Sequence, residues 1–123
     1  MSVPTFLIVD DDAIIRLVIR RTLARHDPHA LVFSAGSVAE ARQQLTHTTP
    51  HIVITDYHLT DGTGLDVLAA AQALAPMPAS VVISGDTARK AAVLAAGAVA
   101  FLAKPFGPND LLDLLGTLGL LPT

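Results

Sequence analysis

Short, unbroken apolar runs alternate along this chain with stretches in which apolar residues return every three or four positions, and the alternation repeats about five times. Unbroken runs are what strands buried on both faces of a parallel sheet look like, and the 3.6-residue recurrence is that of helices laid over it. The runs predict strands at about 5–10, 30–34, 51–55, 79–84 and 98–103. A first helix over about 12–26 carries Ile15, Val18, Ile19 and Thr22 at helical spacing toward the sheet, with Arg16 and Arg20 on another face. Ser37 and Glu40 have the spacing of a capping box, so a second helix runs from there to about 47. A third follows the polar turn Thr60-Asp61-Gly62-Thr63-Gly64 and continues through Leu65, Leu68 and Ala69 until Pro76 interrupts it. An Ala-rich fourth, about 86–95, is closed by Gly97, and Pro108 opens a last helix reaching Leu118. The rhythm is that of stacked βαβ units in one α/β domain over residues 1–123.

The runs end in polar residues, and those ends carry the chemistry. Asp10-Asp11-Asp12 follow Phe6-Leu7-Ile8-Val9, Asp56 follows Ile52-Val53-Ile54-Thr55, Ser84 follows Val81-Val82-Ile83, and Lys104 follows Phe101-Leu102-Ala103. The carboxyl ends of parallel strands share one edge, where ligands of such sheets sit. Acids crowded in a partly dehydrated crevice repel one another, and a hard divalent cation relieves the repulsion. An oxygen-only ligand set without Cys or His at the strand ends favours Mg²⁺, or Mn²⁺ in its place, over Zn²⁺. A carboxylate is also a nucleophile for phosphorus, and a metal with a Lys neutralises the phosphoryl oxygens. The grouping suits phosphoryl transfer to Asp56.

Val9-Asp10-Asp11, the isolated Asp56, Ser84-Gly85 and Lys104-Pro105-Phe106 occur in an order and spacing that resemble the receiver domain of bacterial two-component response regulators, over essentially the full length. The resemblance implies a doubly wound (βα)5, flavodoxin-like three-layer sandwich with sheet order 2-1-3-4-5. It also implies roles. Asp56 would be the phosphoacceptor, Asp11 a direct metal ligand, Asp10 an acid holding the metal through water, and the His58 backbone carbonyl a further ligand. Ser84 would hydrogen-bond one phosphoryl oxygen and Lys104 pair with another, while Phe101 would turn with the switch. His58, two residues past the acceptor, would help set the lifetime of the phosphoryl group, and Lys104-Pro105 would be cis. Implied partners are a sensor histidine kinase or a histidine phosphotransfer protein, with room for a homodimer through the face of the fourth helix, fifth strand and fifth helix. Ile14 and Leu17, off the sheet-facing stripe, are expected to form a docking surface near Pro105-Phe106.

Composition narrows the remaining classes. With 123 residues, 51% hydrophobic, the chain fits one core and can remove roughly two-thirds of its unfolded surface from water. Charged residues make up 15% and the net charge is −3, with no clustered basic face for direct nucleic-acid binding. Without Cys there are no disulfides or thiol chemistry, as a reducing cytosol permits. No apolar stretch reaches the roughly 20 residues of a membrane span, so a soluble, cytoplasmic protein without membrane contact is expected.

Two other functions share some of these residues. Asp10-Asp11-Asp12 loosely fits the Asp-x-Asp motif of haloacid-dehalogenase-type phosphatases, but the chain is too short for a cap domain, lacks an acidic pair after the fourth strand, and would leave Asp56 without a role. A phosphorylation-independent interaction module of receiver fold usually loses an acid, the hydroxyl or the Lys, and all are present here. The chain also departs from the family pattern. Thr60 stands where Pro is usual, which predicts a more mobile loop after the third strand. Val99-Ala100 replace two acids, and Leu112 and Leu114 take the place of charged residues on the last helix, against the winged-helix regulator class.

Overall fold

A computed structural model describes residues 3–121. Five strands, β1 (Thr5–Val9), β2 (Leu31–Ala35), β3 (Ile52–Asp56), β4 (Ala79–Ser84) and β5 (Ala100–Ala103), form one sheet. All pairings are parallel and the order is β2-β1-β3-β4-β5, the order expected. The helices are α1 (Ala13–His26), α2 (Val38–His47), α3 (Gly64–Gln72), α4 (Lys90–Ala95) and α5 (Pro108–Thr117). A hairpin of two-residue strands, His58–Leu59 with Gly62–Thr63, links β3 to α3, and a 3₁₀ turn, Thr87–Arg89, precedes α4.

Strand periodicity divides the core. Phe6, Ile8, Ile52, Ile54, Val81 and Ile83 face α1 and α5, meeting Ile19, Leu23, Leu111 and Leu115. Their neighbours Leu7, Val9 and Val53 point the other way, against Val38, Ala41 and Leu45 of α2 and Val67 and Ala71 of α3. Both faces of each central strand are therefore apolar, which is why those strands read as unbroken runs.

Several boundaries and contacts differ from expectation. On α1 the buried residues are Ile19, Thr22 and Leu23, and Ile15 is half-buried, whereas Val18 is 42% exposed. The Ser37 side chain accepts from the Glu40 N–H at 3.1 Å, but among the described residues no bond returns from the Ser37 N–H to the Glu40 side chain. Asp61, more than twenty positions on, accepts from the N–H groups of Val38 and Ala39 at 2.8 and 3.0 Å. The reciprocal capping box lies instead at Thr63 and Asp66, opening α3. That helix stops at Gln72, short of Pro76, and Ala75-Pro76 is cis, whereas Lys104-Pro105 is cis as expected. The Ala-rich segment begins as the 3₁₀ turn Thr87–Arg89 and is α-helical from Lys90, and Gly97 closes it as expected at φ 108°, a left-handed conformation that costs glycine nothing.

Candidate functional site

The turn from β1 into α1 presents two acids. Asp10, buried at the end of β1, has its N–H bonded to the Ala35 carbonyl and its Oδ1 accepting the Asp12 N–H at 2.9 Å. Asp12 is the N-cap of α1, its Oδ1 accepting from the Ile14 N–H at 2.8 Å, so its side chain has a local structural role. Asp11 between them is exposed and makes no side-chain hydrogen bond among the described residues.

Asp56, buried at the end of β3, comes to the same place because β1 and β3 are register neighbours, Val9 opposite Thr55. One oxygen each of Asp10, Asp11 and Asp56 lies within 4.8 Å of the others. Lys104, just past β5, reaches across the edge, its Nζ 3.4 Å from Asp10 Oδ2 and 3.4 Å from Asp56 Oδ1. Asp56 Oδ1 also accepts the Tyr57 N–H at 2.9 Å, leaving Oδ2 the oxygen without a hydrogen bond among the described residues. Ser84 is fully buried next to Ile83, the register partner of Asp56, and its Oγ accepts from the Asp86 N–H at 3.0 Å.

The charges are unbalanced. Burial pushes the Asp10 carboxyl above its usual range, the Asp12 N–H pulls it back, Asp56 adds to the rise, and Lys104 opposes it. Desolvation alone would lower the Lys104 ammonium, but the Asp10 and Asp56 charges and the hydrogen bonds to them outweigh it and hold it above its usual range. One ammonium against three carboxylates leaves two negative charges over, which matches a divalent cation, and the donors are all oxygen. Asp10, Asp11 and Asp56 thus fit Mg²⁺.

His58 stands apart from this cluster. Its imidazole is exposed, 3.8 Å from Asp86 Oδ2 and edge-on to the Tyr57 ring. Phe101, opposite Val82 in the sheet, is half-buried against the cluster of Tyr57, Leu68, Val82, Val93 and Ala98. Residues that the sequence reading passed over also shape the site. Arg16 donates to the Asp10 carbonyl, and Arg89 bonds Asp86 at 3.1 Å while standing over the Tyr57 ring at 5.3 Å. For Arg16 the available signal was a basic i, i+4 pair, Arg16 and Arg20, on a helix packed against a sheet.

A doubly wound sheet with a carboxylate trio and a lysine at its carboxyl edge defines a receiver-type domain with a pocket fit for a phosphoacceptor. Residues 6–116 match the family of response regulator receiver domains, and the chain belongs to that family. It is 37% identical over 121 residues to the response regulator protein PilR of Pseudomonas aeruginosa, covering 95% of this chain and 26% of that protein. It is 31% identical over 119 residues to the DNA-binding transcriptional regulator NtrC of Azospirillum brasilense, covering 94% of this chain and 24% of that one. Among solved structures, the chemotaxis response regulator CheY4 of Vibrio cholerae superposes with a TM-score of 0.84 at 25% identity, over 94% of this chain and 98% of that chain. A CheY-like receiver domain protein from Methanospirillum hungatei gives 0.85 at 27% identity, over 94% and 93%. The chain spans 26%, 33% and 24% of the length of the first three curated relatives. Receiver domains of response regulators are phosphorylated by histidine kinases. No helix among the described residues is long and apolar enough to cross a membrane.

Proposed function

We propose that residues 1–123 act as one phosphoacceptor domain in which Asp56 takes a phosphoryl group from a phosphohistidine. Asp56 Oδ2 forms the new O–P bond as the N–P bond of the donor breaks, and the imidazole departs with the bonding pair and takes up a proton. Lys104 Nζ pairs with a phosphoryl oxygen, and the Ser84 hydroxyl donates to another. Mg²⁺, held by Asp11 and Asp56 with Asp10 acting through water and the His58 carbonyl as a further ligand, would offset the charge on the phosphoryl oxygens. The supporting observation is the convergence of three carboxylates and one ammonium on a single strand edge. The domain is a cytoplasmic signalling element whose chemistry is confined to its own phosphorylation and dephosphorylation.

The phosphodonor approaches over α1. Ile14 and Leu17 are exposed, at 70% and 44%. Beside them an apolar groove is lined by Ile15, Val18, Pro105 and Phe106 and ends at Lys104. Ile15 and Val18, and not Ile14 or Leu17, are therefore the α1 residues lining the groove beside Pro105-Phe106. A helix presenting a phosphohistidine could bury apolar side chains there while its phosphoryl group reaches the acid pocket. The output face, α4 with β5 and α5, is where a homodimer or an effector would engage.

Incubation with acetyl phosphate and Mg²⁺ should add one phosphoryl group, and Asp56→Asn should add none. Labelling of that variant at the wild-type level would refute the assignment. Ile14→Asp should slow transfer from the cognate phosphohistidine donor while leaving acetyl-phosphate labelling intact, and loss of both would show damaged folding instead.

A further inference from the structure

Asp11 makes no side-chain hydrogen bond among the described residues and is exposed, so its reach to the cluster depends on where the backbone sets its Cα. The peptide joining Asp10 to Asp11 fixes that position, because rotating its plane would swing Asp11 relative to Asp10. Three contacts hold the Asp10 side of the turn: its N–H on the Ala35 carbonyl, its Oδ1 on the Asp12 N–H, and its Oδ2 near Lys104. Among the described residues the carbonyl of the linking peptide is held by one group, the Arg16 guanidinium, one turn into α1.

We infer that Arg16 is a positioning residue for the metal site, locking the Asp10–Asp11 peptide so that both carboxylates face Asp56. The inference rests on the proposed reading of the acid cluster as a Mg²⁺ site. Gly36 gives Arg16 room beside the turn. A Cβ added at Gly36, in the loop from β2 to α2, would lie 3.1 Å from Arg16 Nη1 and 3.4 Å from Glu40 Oε1, so the guanidinium sits in a slot that glycine leaves open. The neighbouring Arg20 provides a contrast. It too clamps α1 to the sheet, but through the Val32 carbonyl and the Ser34 hydroxyl of β2, away from the turn.

Charge and geometry predict opposite signs here. If Arg16 acted only through its positive charge, removing it would leave the acid cluster more negative and tighten cation binding. If it orients the ligands, removing it weakens binding although the site becomes more negative. Groups that orient metal ligands typically change affinity by about 10- to 100-fold when removed.

The test is titration of Mn²⁺ into the metal-free protein, with free Mn²⁺ read by electron paramagnetic resonance and thermal unfolding recorded without metal. Arg16→Met keeps the apolar stem and should weaken binding about 10-fold. Arg16→Lys keeps a single donor for the one carbonyl and should restore most of the affinity. Arg20→Met should lower the unfolding temperature while leaving Mn²⁺ affinity within about twofold, a change of under about 0.5 kcal/mol. Unchanged or tighter binding by Arg16→Met, or equal losses in Arg16→Met and Arg20→Met, would overturn the inference. A wild-type protein that binds no Mn²⁺ would overturn the metal-site reading itself, and this inference with it.

Discussion

Two loops leave the sheet beside Asp56, and they are built differently. The one after β3 is fastened throughout: its hairpin pairs His58 with Thr63 and Leu59 with Gly62, Thr63 and Asp66 form a reciprocal cap on α3, and Asp61 caps the start of α2. The Gly64 N–H bonds the Tyr57 carbonyl at 2.7 Å, closing the loop on the end of β3. The loop after β4 has a 3₁₀ turn held by Asp86 and then the six-residue α4, in which only Val93 is buried. That helix is tied at its far end, where Gln72 Nε2 donates to the Ala96 carbonyl at 2.7 Å. Its near end is bordered by exposed contacts, Arg89 with Asp86 and His58 with Asp86. A segment with few buried apolar groups opens at low free energy. The difference teaches that Asp56 has a rigid wall on one side and a compliant one on the other, so under the proposed reading the effects of its phosphorylation should travel through Ser84 toward α4.

Breaking the rigid wall should have the largest effect. At Gly64 a Cβ would lie 2.8 Å from the Asp56 carbonyl oxygen and 3.2 Å from the Tyr57 Cα, both backbone atoms that cannot step aside cheaply. Gly64→Ala should cost about 1–3 kcal/mol in urea unfolding and reduce acetyl-phosphate labelling, because the strain falls on the acceptor residue. A neutral result would mean that the loop is looser than described. Thr63→Ala, which removes half of the capping box, should cost about 1 kcal/mol by the same measurement.

Asp61 sharpens the contrast through pH. The Val38 and Ala39 N–H groups hold its carboxyl below the ordinary value of 3.8. Its folded pKa lies below its unfolded one, so its contribution is full above that ordinary value and fades as pH falls through the folded pKa. Asp61→Ala should therefore unfold at a lower temperature than wild type near neutral pH, and the gap should close in acid. A gap unchanged down to strongly acidic pH would show that the cap does not depend on the charge.

The compliant wall should tolerate damage best. Arg89→Ala removes an exposed ion pair and a cation–π contact over Tyr57, and should cost no more than about 1 kcal/mol by thermal unfolding. A larger loss would show this loop to be as fastened as its neighbour.

The same contrast explains what the sequence disclosed. Phe6–Val9, Ile52–Thr55 and Val81–Ile83 declare themselves because a strand buried on both faces has no polar alternation, and the polar residue ending each run marks the functional edge. Asp10, Asp11, Asp56 and Lys104 were legible for that reason. Contacts made across the fold were not. The expected mobility after β3 followed from Thr60 standing in place of Pro, yet that loop is secured by Asp61, whose partners Val38 and Ala39 lie in another helix. Spacing suggested Val18 for the sheet, but Thr22 and Leu23 fill that side of α1, and Val18 faces the groove at Pro105. Arg16 stood out only as half of a basic i, i+4 pair, because its acceptor is a main-chain carbonyl and side-chain spacing does not identify one.

The central claim is that modification of Asp56 acts through the compliant wall, and amide chemical shifts recorded with and without beryllofluoride and Mg²⁺ test it most directly, since beryllofluoride mimics an aspartyl phosphate. The predicted result is large shifts from Gly85 through Gly97 and around Phe101, with the start of α2 and the hairpin from Leu59 to Asp66 changing little. Shifts confined to the turns bearing Asp11, Asp56 and Lys104, or stronger in the hairpin than in α4, would contradict it.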